Sequence, residues 1–453
     1  MVDAAQRRTM RVVMFPWLAH GHITPYLELA KKLAQRNFQI FFCSSPINLN
    51  SIKHKLSDHP NTSKYSIELV ELHLPSLHDL PPQYHTMKGL PPHLFPTLIK
   101  ALDMARPEFA NLLQALKPDL LIYDMLPLWA PDAGSSLNIP SVCFITGGAT
   151  TVSFMFHEIK NRDGDYPFPE ICPEHLKLKF AQMRKSTTSS SDGQEGGMKL
   201  VQLYEKSSNI ILIKSFRDLE GKYMDYLSVI FGKKIVPVGP LVPEPIDDHE
   251  GMEIINWLDK KEKSSTVFVS FGSECYLSKE DREEMAYGLE LSKVNFIWVI
   301  RFPEGEKMKL EDALPNGFLE RVRQKGKIVE DWAPQVKILN HPSIGGFVSH
   351  CGWGSLMESL NFGVPIIAMA MQVYQPWNAR LAEVSGIALE IKRDSNNGKI
   401  ERENVAKVIN EVVVEKTGED IRRKAKDMSE NIKRKAEEEM NEVERELLQL
   451  CEI

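Results

Sequence analysis

The chain has no pair of cysteines at CxxC spacing, no run of apolar residues approaching a membrane span, and no excess of positive charge. Each absence removes a class of protein. Its six cysteines, Cys43, Cys143, Cys172, Cys275, Cys351 and Cys451, are scattered in a way that suits free thiols in a reducing compartment. The first seventeen residues, MVDAAQRRTMRVVMFPW, carry charge but no seven-residue apolar core before Pro16, so a secretory signal is not expected. Without about twenty consecutive apolar residues, stable membrane insertion is not expected either. A net charge of -6 argues against a nucleic-acid surface. The glycine pattern GxGxxG after a strand, with an acid about twenty residues later, is missing from both sheet starts, which removes a nicotinamide dehydrogenase.

What is present is ordinary in bulk and specific in detail. Hydrophobic residues make up 43% and charged ones 26% of 453 residues, as in a globular protein too long for one core. A cytoplasmic enzyme of two or three domains is expected. Short apolar runs alternate with helical patterns: Met10–Phe15, Phe38–Cys43, Lys117–Asp124, Ser141–Ile145 and Ile210–Ile213, then Thr266–Phe271 and Phe296–Ile300. Strands too apolar to be half exposed belong to parallel sheets covered on both faces. Between the two groups, Pro237–Asp248 reads as a proline-stiffened, then acidic, linker. Two doubly wound α/β domains follow from this pattern. The charged amphipathic run Ile421–Leu450 predicts a solvated helix. Ser186–Gly197, STTSSSDGQEGG, predicts an exposed loop without structure. Asp163-Gly164-Asp165 matches the DxD of metal-dependent enzymes in form but follows no strand, and is read as a turn; no metal is expected.

The chemistry concentrates in Trp332–Gln375. There, Gly346-Phe347-Val348 predicts a strand that feeds into the turn His350-Cys351-Gly352-Trp353-Gly354-Ser355. A helical pattern, Leu356–Phe362, follows. Such a turn leaves backbone N–H groups and the positive end of a helix dipole facing outward, where a diphosphate sits well. His350 and Ser355 flank it as further donors. Ser355 and Glu358 also spell a capping box, which would account for both residues without a ligand. Trp332-Ala333-Pro334-Gln335 offers a flat aromatic and an amide to a planar base, a stacking worth roughly 1–3 kcal/mol. Glu358 has the carboxylate that other nucleotide sites use for ribose hydroxyls. Gly272-Ser273, after the strand Thr266–Phe271, is a second small-residue turn suited to phosphate.

A further turn, Trp17–Pro25, follows the first strand and contains His20 and His22. Either imidazole suits the removal of a proton from an attacking alcohol. Asp124 ends a strand; it either caps the next turn or bonds the far nitrogen of such a histidine. Thr146, just past Ser141–Ile145, is placed to touch a sugar. The proline-rich loop around Pro81-Pro82, His85, Gly89 and His93 is too long for a mere connector and is expected to border a second substrate.

The stretch from Trp332 to Gln375 resembles the signature box of the plant family 1 UDP-dependent glycosyltransferases, from its Trp to its Gln and over its full length. The resemblance implies a GT-B fold, with two Rossmann-like domains facing a cleft. It implies an acceptor domain at 1–236, a linker at 237–252, a UDP-sugar domain at 253–429, and a last helix (about 430–453) packing back on the first domain. It assigns the base to His22, in its Gly-His pair, with Asp124 as partner; His20, His85 and His93 remain as acceptor contacts. It assigns uracil and ribose to Trp332, Ala333, Gln335 and Glu358, phosphate to His350 and Ser355, and donor sugar to Trp353 and Gln375; Ser273 and Thr146 join the donor site by their placement after strands. Residues 70–93 with Ser215–Tyr223 resemble the branch-forming subgroup, which extends sugars already on terpenoids or flavonoids. An inverting transfer of glucose by a monomer follows, with the UDP-sugar as co-substrate and a small glycoside as acceptor. Two positions depart from the family: Gly354 stands where Asn is usual, and Tyr374 where Asp or Glu is usual. These admit another donor, such as UDP-xylose or UDP-galactose, or a UDP-sugar binder with weakened transfer.

Overall fold

The structure is a computed structural model and describes residues 8–57, 66–161, 164–174, 176–178, 192–245, 249–273, 275–303, 308–372, 374–394 and 398–451. The chain folds as two units. One comprises residues up to 166, 179–241 and 435–453; the other comprises 167–178 and 242–434. The division at 241/242 lies within the segment expected as a linker. Residues 167–178, expected in the first domain, group with the second.

In the first unit seven parallel strands take the order β3-β2-β1-β4-β5-β6-β7. They are β1 (Met10–Phe15), β2 (Phe38–Ser44), β3 (Ile67–Glu71), β4 (Leu120–Tyr123), β5 (Ser141–Ile145), β6 (Ile210–Ile213) and β7 (Lys234–Pro237). β1 pairs with β2 on one side, Val12 beside Ile40, and with β4 on the other, Val12 beside Leu120. Strands β4 and β6 are buried at every residue, as helices on both faces require. The strand order reverses between β1 and β4. In open α/β sheets the loops leaving the carboxyl ends of the two strands at such a reversal border the ligand crevice.

Helix α1 (His20–Ala34) follows β1 and buries Ile23, Tyr26, Leu27, Leu29, Ala30 and Leu33 against the sheet. It begins at His20, inside the stretch Trp17–Pro25 that reads as a turn. Pro25 lies inside it, near enough to the amino end that few N–H bonds are lost. His22 therefore sits in the first helical turn and not in an open loop. Residues 192–205 form a second departure from expectation. Asp192–Glu205 is helical, and its latter part buries Val201, Leu203 and Tyr204. The polar segment expected to be unstructured thus contributes 192–197 to a helix, while 186–191 lie outside the described residues. Asp163 also lies outside them, and Gly164 forms a bend.

The second unit repeats the plan with six parallel strands ordered β10-β9-β8-β11-β12-β13. They are β8 (Thr266–Ser270), β9 (Asn295–Ile300), β10 (Gly326–Glu330), β11 (Ile344–Ser349), β12 (Ile366–Ala368) and β13 (Ala388–Glu390). Here the order reverses between β8 and β11. The long helix Glu419–Leu450 ends the chain, and its last turns complete the first unit's core with Met440, Val443 and Leu447. Arg36 and Lys234 bind that stretch through Glu437 at 2.6 Å and Glu442 at 2.7 Å.

Candidate active site

At the first unit's reversal point, β1 leads to His22 and β4 leads to Asp124. The Asp124 side chain is 1% exposed and accepts three N–H groups: Trp17 N at 3.1 Å, Met125 N at 2.6 Å and His22 Nδ1 at 2.9 Å. The two backbone donors fix the carboxylate in place. A carboxylate accepts and does not donate, so the network puts the proton of the neutral imidazole on Nδ1 and makes Nε2 the basic nitrogen. Thr146 Oγ1 also approaches His22 Nδ1, at 3.0 Å. Thr146, expected to touch a sugar, thus stands beside the histidine, where its oxygen is a second acceptor for the Nδ1 proton.

The three expected acceptor histidines differ in setting. His20 opens α1, and burial, with Lys88 and Lys55 nearby, lowers its pKa. His85 is buried, its pKa lowered by that burial, and its Nε2 has no hydrogen-bond partner among the described residues. His93 is exposed in the short turn Pro92–Leu94.

In the second unit β8 leads to Gly272 and Ser273, and β11 leads to His350. The helix Trp353–Phe362 begins at Trp353, three residues before the apolar pattern indicates, and no side chain caps it. Ser355 is therefore its third residue and not its cap, which overturns the capping-box alternative. Gln335 Nε2 instead reaches both members of that supposed box, Glu358 Oε2 at 2.7 Å and Ser355 Oγ at 3.3 Å. Trp332, Gln335, Ser355 and Glu358 thus come from two elements, and the last three form one polar cluster. Trp332 leaves 49% of its surface exposed, while Ala333 and Trp353 are buried.

His350 is held by shape. A Cβ on Gly272 would lie 2.8 Å from its Cε1, and one on Gly352 would lie 2.5 Å from its Nε2. Both contacts are closer than side chains tolerate, so glycine at both positions seats the ring. Gly272 also takes φ +74°, which favours glycine independently. Burial lowers the His350 pKa to about 4, and Nδ1 has no partner among the described residues. The ring is therefore uncharged near neutral pH and offers an N–H, not a full charge. Gly354 faces open space, with nothing within 4 Å of a built Cβ. Gln375 spends its amide on its own surroundings, accepting from Met371 N and Gln372 N and donating to Cys275 Sγ. Tyr374 is 43% exposed, and Ser273 is exposed.

The profile described as "UDP-glucoronosyl and UDP-glucosyl transferase" matches residues 194–423, and one described as "Glycosyltransferase, N-terminal domain" matches residues 8–243. The chain belongs to the UDP-glycosyltransferase family. This glycosyltransferase is 52% identical over 458 aligned positions to a mogroside IIIx synthase of Siraitia grosvenorii, covering 100% of this chain and 96% of the relative. It is 47% identical to the beta-D-glucosyl crocetin beta-1,6-glucosyltransferase of Gardenia jasminoides, covering 96% and 98% of the two chains. Phytolacca americana UGT2, solved with UDP-2fluoro-glucose and pterostilbene, superposes with a TM-score of 0.80 at 26% identity, covering 98% and 100%. The fold is GT-B, and the co-substrate of the glycosyltransferase is a UDP-sugar.

Sequence reasoning missed three participants. The Trp17 and Met125 amides carry no side-chain signal. Gly352 was legible as part of a turn but not as part of the His350 seat, because the other glycine that approaches the ring, Gly272, lies 80 positions away in the chain. Among the described residues no group of three His, Cys, Asp or Glu is placed to hold a metal ion, and no helix is long and apolar enough to cross a membrane.

Proposed function

We propose that the protein transfers glucose from UDP-glucose to a sugar hydroxyl of a terpenoid or flavonoid glycoside, with inversion at the anomeric carbon. The contact between His22 Nδ1 and Asp124 Oδ2, at 2.9 Å, carries this reading. With the Nδ1 proton engaged by a carboxylate, Nε2 takes the proton of the acceptor hydroxyl as its oxygen attacks the anomeric carbon. The carboxylate stabilises the imidazolium that forms. UDP departs from the opposite face, so an α-linked donor yields a β-linked product. Charge developing on the diphosphate is met by the uncapped amino end of Trp353–Phe362 and by the neutral His350 N–H. This assignment calls for no metal. Trp332, Ala333, Gln335 and Glu358 take uracil and ribose; Ser355 and Ser273 take phosphate; Trp353 and Gln375 border the sugar. The acceptor is bordered by His20, His85 and His93. The glycoside class is supported by the two relatives, one named for a mogroside and one for a glucosyl crocetin. The enzyme acts as a cytoplasmic monomer.

The test pairs His22→Ala with UDP affinity. Turnover should fall by about 10²–10⁴-fold, the usual share of general-base help, while UDP binding measured by calorimetry stays unchanged. Turnover at the wild-type rate would remove His22 from its role.

One observation favours a second reading of the donor. Tyr374 supplies a half-exposed phenol where a carboxylate would bind two sugar hydroxyls. A donor without that requirement, such as UDP-xylose or UDP-galactose, is then the substrate of the same reaction.

A further inference from the structure

Glu220 lies in the Ser215–Tyr223 segment and is 0% exposed. Its helix, Arg217–Phe231, departs from helical geometry at this residue, with φ -125° and ψ 15°. The kink delivers the carboxylate to the start of another helix, Ala149–Lys160. Oε2 accepts Ala149 N at 2.8 Å and Ser215 Oγ at 2.6 Å, and Oε1 accepts Thr150 N at 2.7 Å. These three donors are all neutral. Burial raises its pKa, opposed by the same hydrogen bonds.

The position of this clamp gives it a consequence beyond folding. A helix start is usually capped by the residue before it, but here that residue is Gly148, which has no side chain to offer. Gly147 precedes it, and a Cβ there would touch nothing. Two successive glycines give the connection from β5 little stiffness of its own. Thr146 sits between β5 and those glycines, with its hydroxyl 3.0 Å from His22 Nδ1. One end of the segment is held by the sheet; the other is held by Glu220.

We propose that Glu220 is a positioning residue for the transfer reaction: by gripping the Ala149 and Thr150 amides it sets the Thr146 hydroxyl against His22 and so aims the base. The proposal rests on His22 being that base. Its function is distinct from stability, because the helix could be capped locally, whereas only a long-range clamp registers Thr146 to the histidine at the start of α1.

The test is a double-mutant cycle on the full-length enzyme with saturating donor and acceptor. Thr146→Val keeps the shape and removes the hydroxyl; Glu220→Gln keeps the shape and puts an amide nitrogen against a backbone donor. Each single variant should lose kcat by about tenfold, with KM for the UDP-sugar within about twofold of wild type. The double variant should be no slower than the slower single, because both act on one group. Losses that multiply, or Glu220→Gln with wild-type kcat, would overturn the proposal. Should Glu220→Gln not fold, Ser215→Ala removes one of the three donors and takes its place in the cycle, with the same two outcomes. His22→Ala is run beside them: undiminished turnover there defeats the base assignment, whereas additivity in the cycle defeats only the role of Glu220.

Discussion

A buried imidazole approached closely by two glycines has no room to accommodate a methyl group on either. Gly352→Ala would bring a carbon to 2.5 Å from His350 Nε2, so the buried ring would have to shift. The variant should raise KM for the UDP-sugar by about tenfold, the order expected when a hydrogen bond to a charged group is lost. Donor titration followed by product formation checks this, and an unchanged KM would mean that His350 is not a phosphate donor. Tyr374 presents the opposite case, a side chain that is 43% exposed. Tyr374→Asp should speed transfer from UDP-glucose relative to other UDP-sugars if that site reads the sugar's hydroxyls. A donor panel with product mass analysis measures the ratio, and an identical ranking in both proteins would remove position 374 from donor choice. His350 and Tyr374 belong to one contiguous stretch, so their spacing is visible in the sequence.

The long C-terminal helix shows a conflict between charge and packing. Glu439 stands on the part that joins the first unit, and burial lifts its pKa to about 7, with Asp218 and Glu442 adding to the rise. The Arg217 amide opposes it. A carboxyl whose folded value lies above its unfolded value binds more protons when folded. It therefore costs nothing below about pH 4, and stability is lost as pH rises from there through 7. Glu439→Gln keeps an acceptor for the Arg217 amide and removes the charge. Its melting temperature at pH 8 should rise by about 2–4 °C, corresponding to roughly 1 kcal/mol in a domain of this size, and should match wild type at pH 4. A rise of equal size at both pH values would show that the carboxyl's ionisation is not the cause. At this scale local patterns misled twice. Ser355-Leu356-Met357-Glu358 satisfies a capping rule, but the true start at Trp353 shifts Ser355 inward and frees Glu358 for Gln335. The polar run at 192–197 is helical because Val201, Leu203 and Tyr204 farther along gain burial, which outweighs weak local propensity.

For the whole molecule, the chain's end is part of its beginning. Met440, Val443 and Leu447 are each at most 2% exposed and share a core with Val12, Leu29, Ile40 and Leu120. Burying such a side chain contributes about 1.5–3 kcal/mol, so removing residues 435–453 forfeits a sum comparable to a domain's entire net stability of roughly 5–15 kcal/mol. The truncated chain should be insoluble or should melt well below the full-length protein by circular dichroism; a soluble product with an unchanged melting curve would contradict this. The sequence by itself determined the central strands, such as β1, β4 and β8, because parallel strands buried on both faces must be apolar throughout; β3 and β10, which are only partly buried, carry no such signal. It marked the Trp332–Gln375 stretch too, because His350, Trp353, Ser355 and Glu358 all sit on one strand-turn-helix. Tertiary structure decided what distant segments do to one another. His22 and Asp124 meet across 102 positions because β1 and β4 are neighbours where the strand order reverses. Thr146 reaches the same ring from β5, and Glu220 holds Thr146's segment from a kinked helix. No local periodicity encodes such meetings: sheet order is chosen by the packing of the whole domain, and only that choice brings these side chains within bonding distance.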